Sequence, residues 1–161
     1  MSMLNLPARA GARPATRPEN PHSQLDQQPT DRAVPELLAS SAFALPDVTE
    51  GPSAVSVPGA RALILRDGRP APAGGFMVGR EFAHLHPDPD FSLHAALPPE
   101  DAATVIAAGW GEPHPMAGVD GLSPGLTMIY APRDRDEVAI VVEVLAAALR
   151  TAPDEPPAPI R

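Results

Sequence analysis

Cysteine is absent from the 161-residue chain, and so is lysine, since the 12 basic residues are all arginine. Without cysteine there is no disulfide framework and no thiolate metal site, and the redox compartment stays open. Aromatic residues are few, one Trp, one Tyr and four Phe, so each is expected to hold a fixed place in a small core. No apolar run reaches the ~20 residues of a membrane span, and the first residues lack the apolar stretch of a secretory signal. A cytoplasmic protein is expected, and the alanine-, proline- and arginine-heavy composition is bacterium-like. Positive charge is also short: the formal net charge is -8 and the sequence pI about 4.9. That balance argues against nucleic acid and anionic membrane as partners, because both require a positive footprint.

What the chain has in quantity is proline, 23 residues of it, concentrated where it divides the sequence into regions. Residues 1–41 mix Pro, Arg, Gln and Asn with few large apolar side chains. Such a stretch buries too little apolar area to offset its ordering entropy, which predicts a largely disordered leader. A short helix in "VPELLASSAFAL" would lead into the domain. Residues 153–161 read as a proline-rich tail, which leaves 42–152 as a single domain.

Within that domain "SAVSV" and "ARALILR" read as strands parted by Pro58-Gly59. "FMVGREFAHLH" reads as an extended run with Gly79 as a bulge, the prolines of "PDPD" force a turn, and "FSLHAAL" returns as the partner strand. "PPEDAATVIAAGW" has the proline start, acidic first turn and glycine stop of a helix. "LTMIYAP" is a strand with Leu126, Met128 and Tyr130 on one face. "DRDEVAIVVEVLAAALR" is a helix capped by Asp134, with Val138, Val141, Val142, Leu145 and Leu149 facing the sheet. This order predicts an α+β fold, a mainly antiparallel sheet with two helices packed on one face.

Three of the five histidines, His84, His86 and His94, fall within "GREFAHLHPDPDFSLH". Strand alternation gives His84 and His86 the parity of Phe82. Pairing His86 with Phe91 places His94 on the opposite face, whereas one extra bulged residue brings His94 opposite His84; the sequence admits both registers. The aperiodic stretch "GWGEPHPMAGVDGLSPG" adds Trp110, Glu112 and His114, a rigid loop suited to a pocket wall. Three uses of these imidazoles stand side by side: a divalent metal site, general base catalysis, and structural hydrogen bonding. The H-x-H pair is similar to the first half of a cupin signature, but the glutamate expected after it is missing.

The elements "REFAHLHPDPDFSLHAALP", "GWGEPHPMAG" and "IYAPRDRDEV", in this order, resemble the luciferase-like domain of the fungal bioluminescence enzymes, over about Gly79 to Arg150. The resemblance implies cofactor-independent oxygenation: a base removes a proton from a planar enol, the enolate adds dioxygen, and a dry pocket with cationic or hydrogen-bonding groups holds the oxyanion. On this reading His84, His86, His94 or His114 supplies the base and Arg80 and Arg133 face the oxyanion. Trp110, Glu112, Tyr130 and Glu81 line a pocket for a small-molecule substrate. No cofactor is then implied. The fungal enzymes carry a membrane-anchoring segment where this chain has a polar leader, and light emission is not expected of it. A metal-dependent, cupin-like oxygenase or isomerase built on the H-x-H pair is the alternative, and a non-enzymatic ligand-binding module is another.

Overall fold

The computed structural model describes residues 2–151 and 160, so the tail expected at 153–161 lies outside the described residues apart from Ile160. A six-stranded antiparallel sheet runs in the order β3–β4–β5–β6–β8–β7. Its strands are β3 (Val48–Pro52), β4 (Arg61–Leu65), β5 (Glu81–Leu85), β6 (Leu93–Ala96), β7 (Gly111–Pro113) and β8 (Leu126–Ile129). Three helices accompany it, α1 (Ala33–Phe43), α2 (Pro99–Ala107) and α3 (Arg135–Ala148). The fold is therefore α+β, as expected.

The helix ends follow their residues. Pro99 opens α2 and Gly109, at φ +88°, follows its end. Asp134 caps α3 by accepting the Glu137 N–H at 2.9 Å, and the Glu137 carboxylate reaches back to the Arg133 N–H at 2.8 Å. Val138, Val141, Val144 and Leu145 of α3 join Val34 and Leu38 of α1 and Val105 of α2 in one core cluster with Leu63, Phe82, Leu85, Leu93 and Ile129. Val144 takes the place expected for Val142, which is only partly buried.

Two departures in the sheet decide where the histidines point. The first strand is "VTEGP", and "SAVSV" is instead the loop after it, with Val55 54% exposed. The bulge falls not at Gly79, which makes a turn at φ +52°, but at Phe82: Ile64 pairs with Glu81 and Leu63 with Ala83, so Phe82 is the extra residue. Phe82 turns into the core cluster, while Glu81 gains the face of His84, which strict alternation would have denied it. The hairpin takes the longer turn. His86 N–H bonds the Ser92 carbonyl at 2.9 Å, Phe91 sits at φ +61°, and Asp90 accepts from the Ser92 N–H at 3.1 Å. His94 is consequently opposite His84, with Met128 beyond it and Ala62 on the other side.

The leader departs most from expectation. It is laid against the domain, forming a two-stranded ribbon of β1 (Thr16–Arg17) and β2 (Ser23–Gln24). Arg9, His22 and Gln24 are buried. The contacts are polar and directed: Arg9 N–H to the Ala108 carbonyl at 2.9 Å, Arg13 to the Gly111 carbonyl at 2.7 Å, and the Ala131 N–H to Gln24 Oε1 at 2.8 Å. Low hydrophobicity predicts disorder only when polar groups have water as their sole partner. Here they meet backbone groups of the domain at the end of α2 (Ala108), on the edge strand β7 (Gly111) and just past β8 (Ala131).

Candidate functional site

All five histidines of the chain meet in one cluster. His84 and His86 come from β5 and its end, His94 from β6, His114 from the segment after β7, and His22 from the leader ribbon. Ring centroids lie 4.4 Å apart for His86 and His94, 4.5 Å for His94 and His114, and 5.1 Å for His22 and His94. His94 is the hub. Its Nδ1 lies 3.1 Å from both His84 Nε2 and His86 Nε2, and its Nε2 lies 3.1 Å from His22 Nδ1.

The outer nitrogens are held by acids. His84 Nδ1 donates to Glu81 Oε2 at 2.8 Å, and His22 Nε2 to Glu112 Oε2 at 3.0 Å. His86 Nδ1 reaches Ser92 Oγ at 2.9 Å, with Asp90 behind it at 3.4 Å. Burial opposes the charged form of Glu81, yet the hydrogen bonds from His84, Ser53 and the Ala54 N–H prevail and hold its pKa below the usual carboxylate value. Burial, reinforced by the neighbouring imidazoles, pushes His86 down to about 3 and His114 to about 4, and drives His94 well below its ordinary value. These three rings are neutral at pH 7.

The cluster forms part of the lining of a cleft of about 890 Å³. Met77, Val57, Met116 and Leu122 give it apolar walls, and Asp88 and Asp90 also border it. A smaller hollow of about 300 Å³ near Leu65 and Leu149 carries no histidine. Its size, apolar walls and convergent polar floor make the larger cleft the candidate site.

The other residues expected here are placed elsewhere. Arg80 donates to the Leu65, Arg66 and Arg69 carbonyls at 2.7–2.9 Å and stacks on Phe76, so it closes a loop at the far end of β5. Arg133 pairs with Glu137 and the Ala10 carbonyl, fastening the leader to the start of α3. Trp110 fills the core, 4% exposed, with its indole N–H on the Pro7 carbonyl at 2.7 Å. Tyr130 donates to Glu112 Oε1 at 3.1 Å. Neither aromatic ring borders the cleft, and Glu81 and Glu112 stand behind the histidines rather than in it. His22 was not foreseen. Its sequence signal was its rarity, one histidine in a stretch whose composition argued against any structure.

A histidine-floored cleft on one face of an antiparallel sheet, backed by carboxylates, is the candidate site of this α+β domain. Residues 79–148 match the model of the Luciferase domain. Over 79 residues the chain is 43% identical to a luciferase of Armillaria ostoyae, 40% to one of Armillaria mellea and 38% to one of Neonothopanus nambi. Each match takes in 48% of this chain and 30% of the relative, so the chain spans about a third of the length of those curated proteins. No solved structure matches. His84, His86, His94 and His114 lie inside the family segment and His22 outside it.

Proposed function

We propose that the cleft binds a small planar enol or aromatic compound and oxidises it with dioxygen. One observation carries this reading: in a domain similar to fungal luciferases, all five histidines of the chain gather at a cleft of small-molecule size, and burial holds His86, His94 and His114 in the neutral form. Neutral imidazole is the form that takes a proton. His114 Nδ1 accepts the Met116 N–H at 3.0 Å, which leaves its own proton on Nε2 as a donor for a substrate oxygen. The enol gives its proton to an imidazole, and the enolate carbon bonds to dioxygen. The two electrons of that new bond reduce dioxygen to the level of a peroxide. Apolar walls favour the step by keeping water from the anion.

The test is oxygen consumption by the purified protein with a panel of hydroxypyrones and related enols. Uptake is expected with at least one of them, and His94→Ala, which removes the hub of the imidazole cluster, should slow it by about 10²-fold or more. Neither uptake nor binding across the panel would refute the reading.

A further inference from the structure

The hydrogen bonds of the cluster specify where its protons are. A carboxylate only accepts, so with one proton on each ring those of His84 and His22 sit on the nitrogens facing Glu81 and Glu112, leaving His84 Nε2 and His22 Nδ1 bare. Ser92 has one hydroxyl proton and gives it to Asp90 at 2.5 Å, so His86 Nδ1 must donate to Ser92 and His86 Nε2 is bare as well. Neutral His94 brings one proton to this set. Placed on Nε2 it satisfies His22 Nδ1, and then three bare nitrogens, His84 Nε2, His86 Nε2 and His94 Nδ1, face one another at 3.1 Å along both edges that meet at His94. Placed on Nδ1, the proton leaves His94 Nε2 against the bare nitrogen of His22. No arrangement of neutral rings satisfies every contact.

We infer that His84 Nε2, His86 Nε2 and His94 Nδ1 together bind one divalent first-row metal ion. The ion turns the clash of lone pairs into three ligand bonds and leaves every other contact paired: His84 on Glu81, His86 on Ser92 and Asp90, His94 on His22, and His22 on Glu112. Three imidazole nitrogens at the ~2.0–2.1 Å of a zinc-like ion in tetrahedral array stand about 3.3 Å apart, close to the 3.1 Å of the two edges that meet at His94, and all three lie within 4.8 Å of one another. Carboxylates that hold the outer ring nitrogens are the usual support of histidine ligands. Charge points the same way. Glu81, Asp90 and Glu112 surround the cluster, and none of the three hydrogen-bonds an arginine among the described residues.

A second trio, His22, His94 and His114, also lies within reach of one ion. It is disfavoured because the Met116 N–H occupies His114 Nδ1 and the ring's proton occupies Nε2. Three ligands leave at least one coordination position for water or a substrate oxygen. In that chemical consequence the inference rests on the cleft being the reaction site, while binding of the ion stands by itself.

The experiment uses the full chain, purified without a nickel column, stripped with EDTA and titrated with Co²⁺ in the absence of any organic ligand. One ion per chain, the visible absorption of Co²⁺ with nitrogen ligands, and an X-ray absorption signal of three imidazoles are expected. His84→Ala and His94→Ala, checked for folding by circular dichroism, should weaken binding by more than about 100-fold, and Glu81→Gln by about 10–100-fold. His114→Ala should leave the ion bound. No binding to the wild-type chain, fewer than three imidazoles on the ion, or loss of the ion in His114→Ala overturns the inference. Undiminished oxygen uptake by the EDTA-treated protein overturns the ion's part in the reaction, and leaves both the binding site and the oxygenase reading standing. Ion binding without any oxygen uptake upholds the metal site and removes the oxygenase.

Discussion

At the scale of single residues the histidines are fixed from behind. Each acid or hydroxyl that takes an outer nitrogen decides which inner nitrogen is bare, so Glu81, Ser92 and Glu112 set the chemistry of rings they only support. Replacing Glu81 by Gln leaves its shape but removes the charge that Ser53, Ala54 and His84 all satisfy. We expect a loss of about 1–3 kcal/mol in urea denaturation, the usual penalty for a buried polar group left partly unmatched. Acid should destabilise the metal-free fold earlier than carboxylates alone would. His86 and His94 have folded pKa values below the ~6.5 of the unfolded chain, so below that pH the unfolded state binds protons the folded state refuses. Stability is then complete above about pH 6.5 and falls as pH drops toward 4, by up to about 1.4 kcal/mol per pH unit for each of the two buried rings. Denaturant midpoints of EDTA-treated protein between pH 7.5 and 4.5 check this, and a midpoint that stays flat to pH 5 contradicts it. The arginines show what the sequence concealed at this scale. Arg80 and Arg133 stand beside the right motifs, but their carbonyl partners belong to segments distant in sequence, so nothing local separated a structural guanidinium from an oxyanion partner.

At the scale of elements, the site exists because one strand and one turn each carry an extra residue. The bulge at Phe82 puts Glu81 behind His84, and the five-residue turn Pro87–Phe91 brings His94 across from it. The sequence allowed the second of these registers without selecting it, because the choice rests on Asp90 bonding Ser92 and on Phe91 entering a left-handed conformation, neither of which alternation records. The helices were more legible, since capping and periodicity are local: Asp134 caps α3 and the prolines open α2 where their spacing indicated. Strand β7 was hidden inside a stretch that read as loop, three residues being too few for a period. Its Gly111 is a sensitive point, for a Cβ there would lie 2.3 Å from the Met128 carbonyl oxygen. Gly111→Ala should therefore push β7 from β8, cost about 1–3 kcal/mol as overpacking does, and displace Glu112 from His22. Thermal denaturation and the His22 NMR resonances report the two effects. Wild-type values in both would show that the edge gives way without strain.

At the scale of the whole molecule, the leader completes the site by supplying the fifth imidazole, although the family segment begins at residue 79. Composition misjudged the leader because composition scores its affinity for water and not its fit to a particular edge. Its amides should consequently exchange slowly with solvent. The Arg9 N–H on Ala108 and the Leu25 N–H on Ala15 are expected to be protected in hydrogen-exchange NMR, whereas a free tail would exchange at once.

Everything proposed for the cleft depends on the tautomers of its rings, which can be read directly. Long-range ¹H–¹⁵N correlation spectra of the metal-free protein at pH 7.5 should show His84 and His86 protonated on Nδ1 and His22 and His114 on Nε2, each as a single fixed tautomer. Five rings giving the averaged signals of free imidazole, or His84 and His86 carrying their protons on Nε2, would contradict the account.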